Sequence, residues 1–147
     1  MRKFFKFFFL PRGRKKIIGQ AFVLVLIIRI GLWLFPFKRL SGYLAQFKSF
    51  DASVCDVDWT AVEVIVSAVR ECSRFVPFAT CLTQALAAQT LLWSSGQDSQ
   101  LKFGVDKDKG DRFIAHAWIE IDGKIIIGKY PHHRRYIVLG SPGSVVI

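Results

Sequence analysis

The first fifty residues of this 147-residue chain contain no aspartate or glutamate. They carry eleven lysines and arginines, and the first carboxylate is Asp51, whereas residues 51–147 hold ten bases and eleven acids. The formal charge of +10 therefore belongs to an N-terminal segment, which argues against a basic nucleic-acid-binding surface spread over the whole chain. No nucleic-acid-binding motif occurs in it either. Cysteine is scarce: Cys55, Cys72 and Cys81 are an odd number, form no C-x-x-C pair and accompany no secretory cleavage signal. A reduced, cytoplasmic chain is expected, with or without membrane association. Long apolar runs are missing too. Within residues 17–35 the longest uncharged stretch, Ile17–Ile28, has twelve residues, against about 20 for a membrane span. Arg29 would stand near the bilayer centre at about 2.5–3.5 kcal/mol on insertion scales. Residues 17–35 are expected as a helix, apolar nearly all round and halted by Pro36, that docks on the domain or lies at an interface, with entry into a membrane as the alternative. With Arg2, Lys3, Lys6, Arg12, Arg14, Lys15 and Lys16, residues 1–37 are a candidate peripheral membrane contact.

What is present suits one compact domain, since 52% of the residues are hydrophobic and the length is ample for a core. The division expected is a basic, apolar, helical N-terminal extension over 1–57 and an α+β domain over 58–147. Asp58 is a credible N-cap for a helix from Trp59 to about Ser73. The stripe Val62, Ile65, Val66, Val69 and Cys72 faces a core, which makes Cys72 a small buried hydrophobe. Cys55, among Ser53, Asp56 and Asp58, receives no role. Val76-Pro77-Phe78-Ala79-Thr80 forces an extended entry, because the residue before proline avoids the α region, and Thr80 can cap the next helix. That helix begins at Cys81, places Leu82, Ala85, Leu86, Gln89, Leu92 and Trp93 on one stripe, and stops at Gly96.

Beyond Gly96 the period changes. Leu101-Lys102-Phe103-Gly104-Val105 alternates as a half-buried strand does. Asp106 to Arg112 is a charged connection that lacks the position-twelve glutamate of an EF-hand, so a solvated hairpin loop is expected. The run Phe113 to Ile121 is a second strand with His116 in it. Asp122-Gly123 is a strong hairpin signal, with Lys124 to Lys129 as the returning strand. Two or three antiparallel strands result. His132 and His133 are adjacent on an extended segment and so point oppositely. No further ligand spacing supports a metal, and they are expected in a basic loop with Arg134 and Arg135.

Cys81 and His116 carry the chemistry. In the first turn of a helix, unpaired backbone N–H groups and the positive end of the dipole favour a thiolate, and a neighbouring imidazolium adds to the effect. Arg70…Arg74-Phe75…Pro77…Thr80-Cys81-Leu82…Ala85-Leu86, then Gly96…Gly104-Val105, then His116-Ala117-Trp118-Ile119-Glu120…Gly123 resembles the transglutaminase-like leader peptidases of lasso-peptide biosynthesis. Leu10-Pro11-Arg12, an apolar helix and Leu34-Phe35-Pro36 are similar to the start of the short, split form of those proteins. The resemblance implies a papain-like core of the transglutaminase type, with a Cys-bearing helix packed on a small antiparallel sheet. It also implies a thiol peptidase that removes the leader from a ribosomally made precursor peptide, with Cys81 as nucleophile and His116 as general base. Its implied partners are the precursor, a separate leader-recognition protein and a lasso cyclase; no metal or nucleotide is needed for this step.

Members with a Cys-His-Asp triad place the aspartate about where Gly128 stands, so the third member is unknown here. A two-residue turn at Asp122-Gly123 pairs Ile121 with Lys124 and sets His116 opposite Lys129. Along the strand, Asp122 is roughly 20 Å and Glu120 roughly 13 Å from His116 at about 3.3 Å per residue. A backbone carbonyl, water or a polar group from the tail would then orient the imidazole. Trp118, two residues on, shares the face of His116 and is a candidate cleft wall, with core packing as the alternative. Two other functions are open: a non-catalytic, membrane-associated scaffold, and acyl transfer to an amine through the same thioester.

Overall fold

A computed structural model of the chain describes residues 12–48, 56–107, 110–129 and 137–140. Cys55, His132, His133 and the first eleven residues lie outside these ranges. Helices come first: α1 (Arg12–Leu34), α2 (Phe37–Leu44), α3 (Trp59–Ser73) and α4 (Cys81–Ser94). Strands β1 (Gln100–Lys107), β2 (Phe113–Ile121), β3 (Lys124–Ile127) and β4 (Ile137–Gly140) follow. Pro36, at φ −64° and ψ 143°, separates α1 from α2.

Helix α1 docks along one line. Ala21, Val25 and Ile28 are fully buried where the helix meets α3 and α4, while Val23, Ile27, Ile30, Trp33 and Leu34 on its other side are exposed. The helix has the length and composition to cross a membrane, yet its inner face belongs to the core. This is compatible with a soluble or a membrane-associated chain. Residues on both sides of the expected division at 57 and 58 build that core, with Val25 and Ile28 beside Val69, Leu86, Leu92 and Ile119.

Helix α3 starts on Asp58, whose carboxylate accepts from the N–H groups of Thr60 and Ala61, satisfying donors that a helix start leaves open. Its Cys72 is buried, as the stripe requires, and donates from Sγ to the Ile18 carbonyl at 3.4 Å. Helix α4 is more central than a single stripe implies, because Thr83 and all residues from Ala85 to Leu92 are buried. Its polar members bond locally: Thr90 Oγ1 donates to Leu86 O at 2.8 Å and Gln89 Nε2 to Ser99 O at 3.2 Å. Gly96, at φ 79°, ends it. Its N–H reaches Trp93 O and the Gln97 N–H reaches Leu92 O, a left-handed cap that consumes the last carbonyls.

The sheet is antiparallel in the order β3-β2-β1-β4. It has one strand more than the two or three expected, because β4, from the tail, pairs with β1. Strand β1 runs to Lys107 and takes in Asp106 and Lys107, which the charge pattern assigned to the loop. Asp122 and Gly123 turn with φ of 48° and 73°, the paired positive values of a two-residue hairpin, and Ile121 pairs with Lys124 as expected. Beyond that pair the register changes: Glu120 faces Ile125 but Ile119 faces Ile127, so Ile126 is an extra residue. The bulge slips the ladder by one position. Strand β3 therefore ends at Ile127, and the expected pairing of His116 with Lys129 does not form.

Candidate active site

Two local structures present Cys81. Val76 to Ala79 form a turn closed by the Ala79 N–H on Val76 O, with Phe78 at φ 59°, a left-handed conformation that bulky residues seldom adopt. Thr80 is then extended, and its hydroxyl accepts from the Thr83 N–H at 3.3 Å. The chain thus enters α4 sharply, with Cys81 as its first, partly exposed residue.

His116 stands on β2 opposite Gly104 of β1. It lines the same cleft as Cys81, a cavity of about 580 Å³ bordered by Arg70 and Ser73 of α3, Arg74 at its C-cap, Cys81 and Gln84 of α4, His116, and Gly128 and Lys129 after β3. Its Nε2 lies 2.6 Å from the Gly128 carbonyl oxygen. A carbonyl only accepts, so Nε2 carries the proton, and in the neutral ring Nδ1 is the nitrogen that can take one up.

Glycine is required at this carbonyl. Gly128 has φ 84°, and an added Cβ would lie 2.7 Å from Ala117 O and 2.8 Å and 2.9 Å from Cβ and Cα of Trp118. Any L side chain here, aspartate included, meets the body of β2. The main chain holds the imidazole where a carboxylate has no room. Of the nearby acids, Glu120 receives the Trp118 Nε1–H on its Oε1 at 2.7 Å, and Asp122 sits exposed in the turn.

Trp118 is 1% exposed and is not among the residues that border the cleft. Its ring lies beside the imidazole, with centroids 6.4 Å apart and planes at 22°. It backs His116 from within. Cys72 stands apart from the chemistry, because burial, and secondarily the charge of Glu71, push its thiol from 9.0 up to about 11. Among the described residues no three His, Cys, Asp or Glu side chains form a metal-holding group. Residue patterns gave no role to Ser73, Gln84, Lys129 or the Gly128 carbonyl. Arg70 and Arg74, four apart in the last turn and C-cap of α3, carried a readable signal of one shared basic face.

With this geometry in hand, the family is clear: the model of the Transglutaminase-like superfamily matches residues 22–141, and the chain belongs to that superfamily. Comparison with curated proteins and with solved structures gives no match. Membership accounts for a helix-borne cysteine beside an antiparallel sheet. It also supports cysteine-peptidase or acyltransferase-type activity.

Proposed function

We propose that this chain is the cysteine peptidase that removes the leader from a ribosomally made lasso-peptide precursor, before a separate cyclase closes the freed core. The observation that carries the reading is the convergence of Cys81, at a helix start, and a carbonyl-anchored His116 on one cleft. The Cys81 thiolate attacks the carbonyl carbon of the scissile peptide bond, and N–H groups at the start of α4 face the developing oxyanion. His116 protonates the leaving amine, the C–N bond breaks and a thioester remains. Water, deprotonated by His116, then attacks the thioester, releasing the leader carboxylate and restoring the thiol. The motifs from Arg70 to Gly123 that resemble lasso leader peptidases support the choice of substrate.

The cleft is small, and the N-terminal residues lack the strand pattern of a peptide-binding domain. Selectivity is therefore assigned to a separate leader-recognition protein that delivers the precursor and raises its effective concentration to around millimolar for a short tether. The uncovered apolar side of α1, with Trp33 80% exposed, is the surface assigned to that protein, to the cyclase or to a membrane. The test is mass-spectrometric cleavage of the full precursor, well below saturation, with and without the recognition protein, by the intact chain and by Cys81→Ala. Cleavage that needs Cys81 and accelerates with the partner is expected. Equal rates with and without it refute delivery, amide products in place of a free carboxylate indicate acyl transfer, and no cleavage at all indicates a non-catalytic scaffold.

A further inference from the structure

Arg70, Arg74 and Lys129 border the cleft that holds Cys81 and His116, and among the described residues no carboxylate does. Among the described residues none of the three forms an ion pair with an acid. Glu71 lies between the two arginines in sequence but outside the lining. Arg70 is committed structurally, since its Nη2 donates to Ile126 O at 3.2 Å and ties α3 to β3. Arg74 and Lys129 are exposed. The Cys81–His116 pair sums to zero whichever of the two holds the proton, so among the described lining residues three positive charges remain around the reacting groups.

We infer that the cleft selects acyl substrates bearing a carboxylate close to the bond that reacts. This rests on the peptidase reading for the identity of that bond. A cavity of about 580 Å³ is about 8–10 Å across, the length of two to three extended residues at about 3.4 Å each. Whatever peptide carbonyl reaches Cys81 therefore has its neighbours within about three residues inside the field of Arg74 and Lys129. A carboxylate there gains charge-assisted bonds, bidentate with Arg74 where geometry allows. The two cations together are worth roughly five- to tenfold in affinity at low salt, since partly exposed pairs are weak singly. The carboxylate can come from an Asp or Glu side chain or from a peptide C-terminus, and the two differ in where the chain ends.

The experiment measures binding of short synthetic peptides to the Cys81→Ala chain by calorimetry. One peptide carries a central Glu and an amidated C-terminus, one has Gln in its place, and one has Gln and a free C-terminus. The expected result is tighter binding of a carboxylate peptide by five- to tenfold, a difference that shrinks with added salt and disappears in Arg74→Gln/Lys129→Gln. Preference for the first peptide assigns a side chain, and preference for the third assigns a chain end. Equal affinity for all three at low salt overturns the inference, whether or not the intact chain hydrolyses them. A carboxylate preference in binding, with no hydrolysis by the intact chain, upholds the inference and overturns the peptidase reading instead.

Discussion

Replacing Gly128 by alanine tests whether the main chain, and not a carboxylate, holds the imidazole. The new Cβ would stand 2.7 Å from Ala117 O and under 3.0 Å from two Trp118 atoms. Ala117 and Trp118 are 2% and 1% exposed, so the strand cannot give way without disturbing the core. The left-handed φ of 84° adds about 1–2 kcal/mol for an L residue, and forcing a methyl into a packed site adds about 1–3 kcal/mol. A loss of about 2–5 kcal/mol is thus expected, a large part of the 5–15 kcal/mol typical of a domain. Residue 128 escapes the clash only by retreating from β2, which takes its carbonyl away from His116 Nε2. Urea unfolding measures the first effect as a lower midpoint at constant slope. Iodoacetamide alkylation of Cys81 near neutral pH, mapped by peptide mass, measures the second as a slower rate. A loss below about 0.5 kcal/mol, within the range of a neutral surface change, refutes the packing argument. Reduced stability with unchanged Cys81 reactivity, measured where the variant is folded, refutes the positioning argument. Gly128→Asp is expected to fare no better, because its carboxyl hangs from the same Cβ.

The two described cysteines should differ sharply: Cys81→Ala removes activity, whereas Cys72→Ala leaves it nearly intact, and equal loss in both would point to destabilisation. At pH 8 a Cys72 thiol raised to about 11 is ~0.1% ionised, so alkylation of the native chain should mark Cys81 and spare Cys72. A folded value above the ordinary 9.0 means that Cys72 contributes stability below pH 9.0 that is lost as pH rises toward 11. Cys72→Ala should flatten that alkaline decline in pH-dependent unfolding, and an unaltered slope would discharge Cys72 from it. His116→Ala should slow alkylation of Cys81 near neutral pH by removing from the shared cleft the ring that can take up the thiol proton; an unchanged rate and pH profile would take His116 out of the site. On α1, Ile28→Ala should lower stability by about 2–4 kcal/mol, while Trp33→Ala should change it by less than about 0.5 kcal/mol. Comparable losses in urea unfolding would mean that α1 does not dock by the Ala21–Ile28 line.

Much of the site's scaffolding was local and could be read from residue order. Asp58 and Thr80 cap because their side chains reach N–H groups two or three residues ahead, Gly96 ends α4 because it alone tolerates φ 79°, and Asp122-Gly123 makes a two-residue turn. Cys81 at a helix start and His116 on a strand follow from those signals together with periodicity. The family resemblance placed the two residues in one mechanism. Other features depend on which surfaces meet. One apolar stripe on α4 could not reveal a helix buried on every side, since that burial comes from α1, α3 and the sheet closing around it. The docked line and uncovered side of α1 were hidden because the helix is apolar nearly all round and periodicity has nothing to distinguish. Strand β4 gains its role only by pairing with the distant β1. The bulge at Ile126 is invisible in an unbroken run of isoleucines, and past it β3 ends, the Gly128 carbonyl meets His116 and Lys129 borders the cleft. Sequence by itself determined the helix that Cys81 opens, the strand that bears His116 and the turn between the hairpin strands, because each is set by neighbours a few residues away. Only the tertiary structure decided what orients the imidazole and which charges surround the thiol, because both arise where α3, α4, β2 and the end of β3 converge.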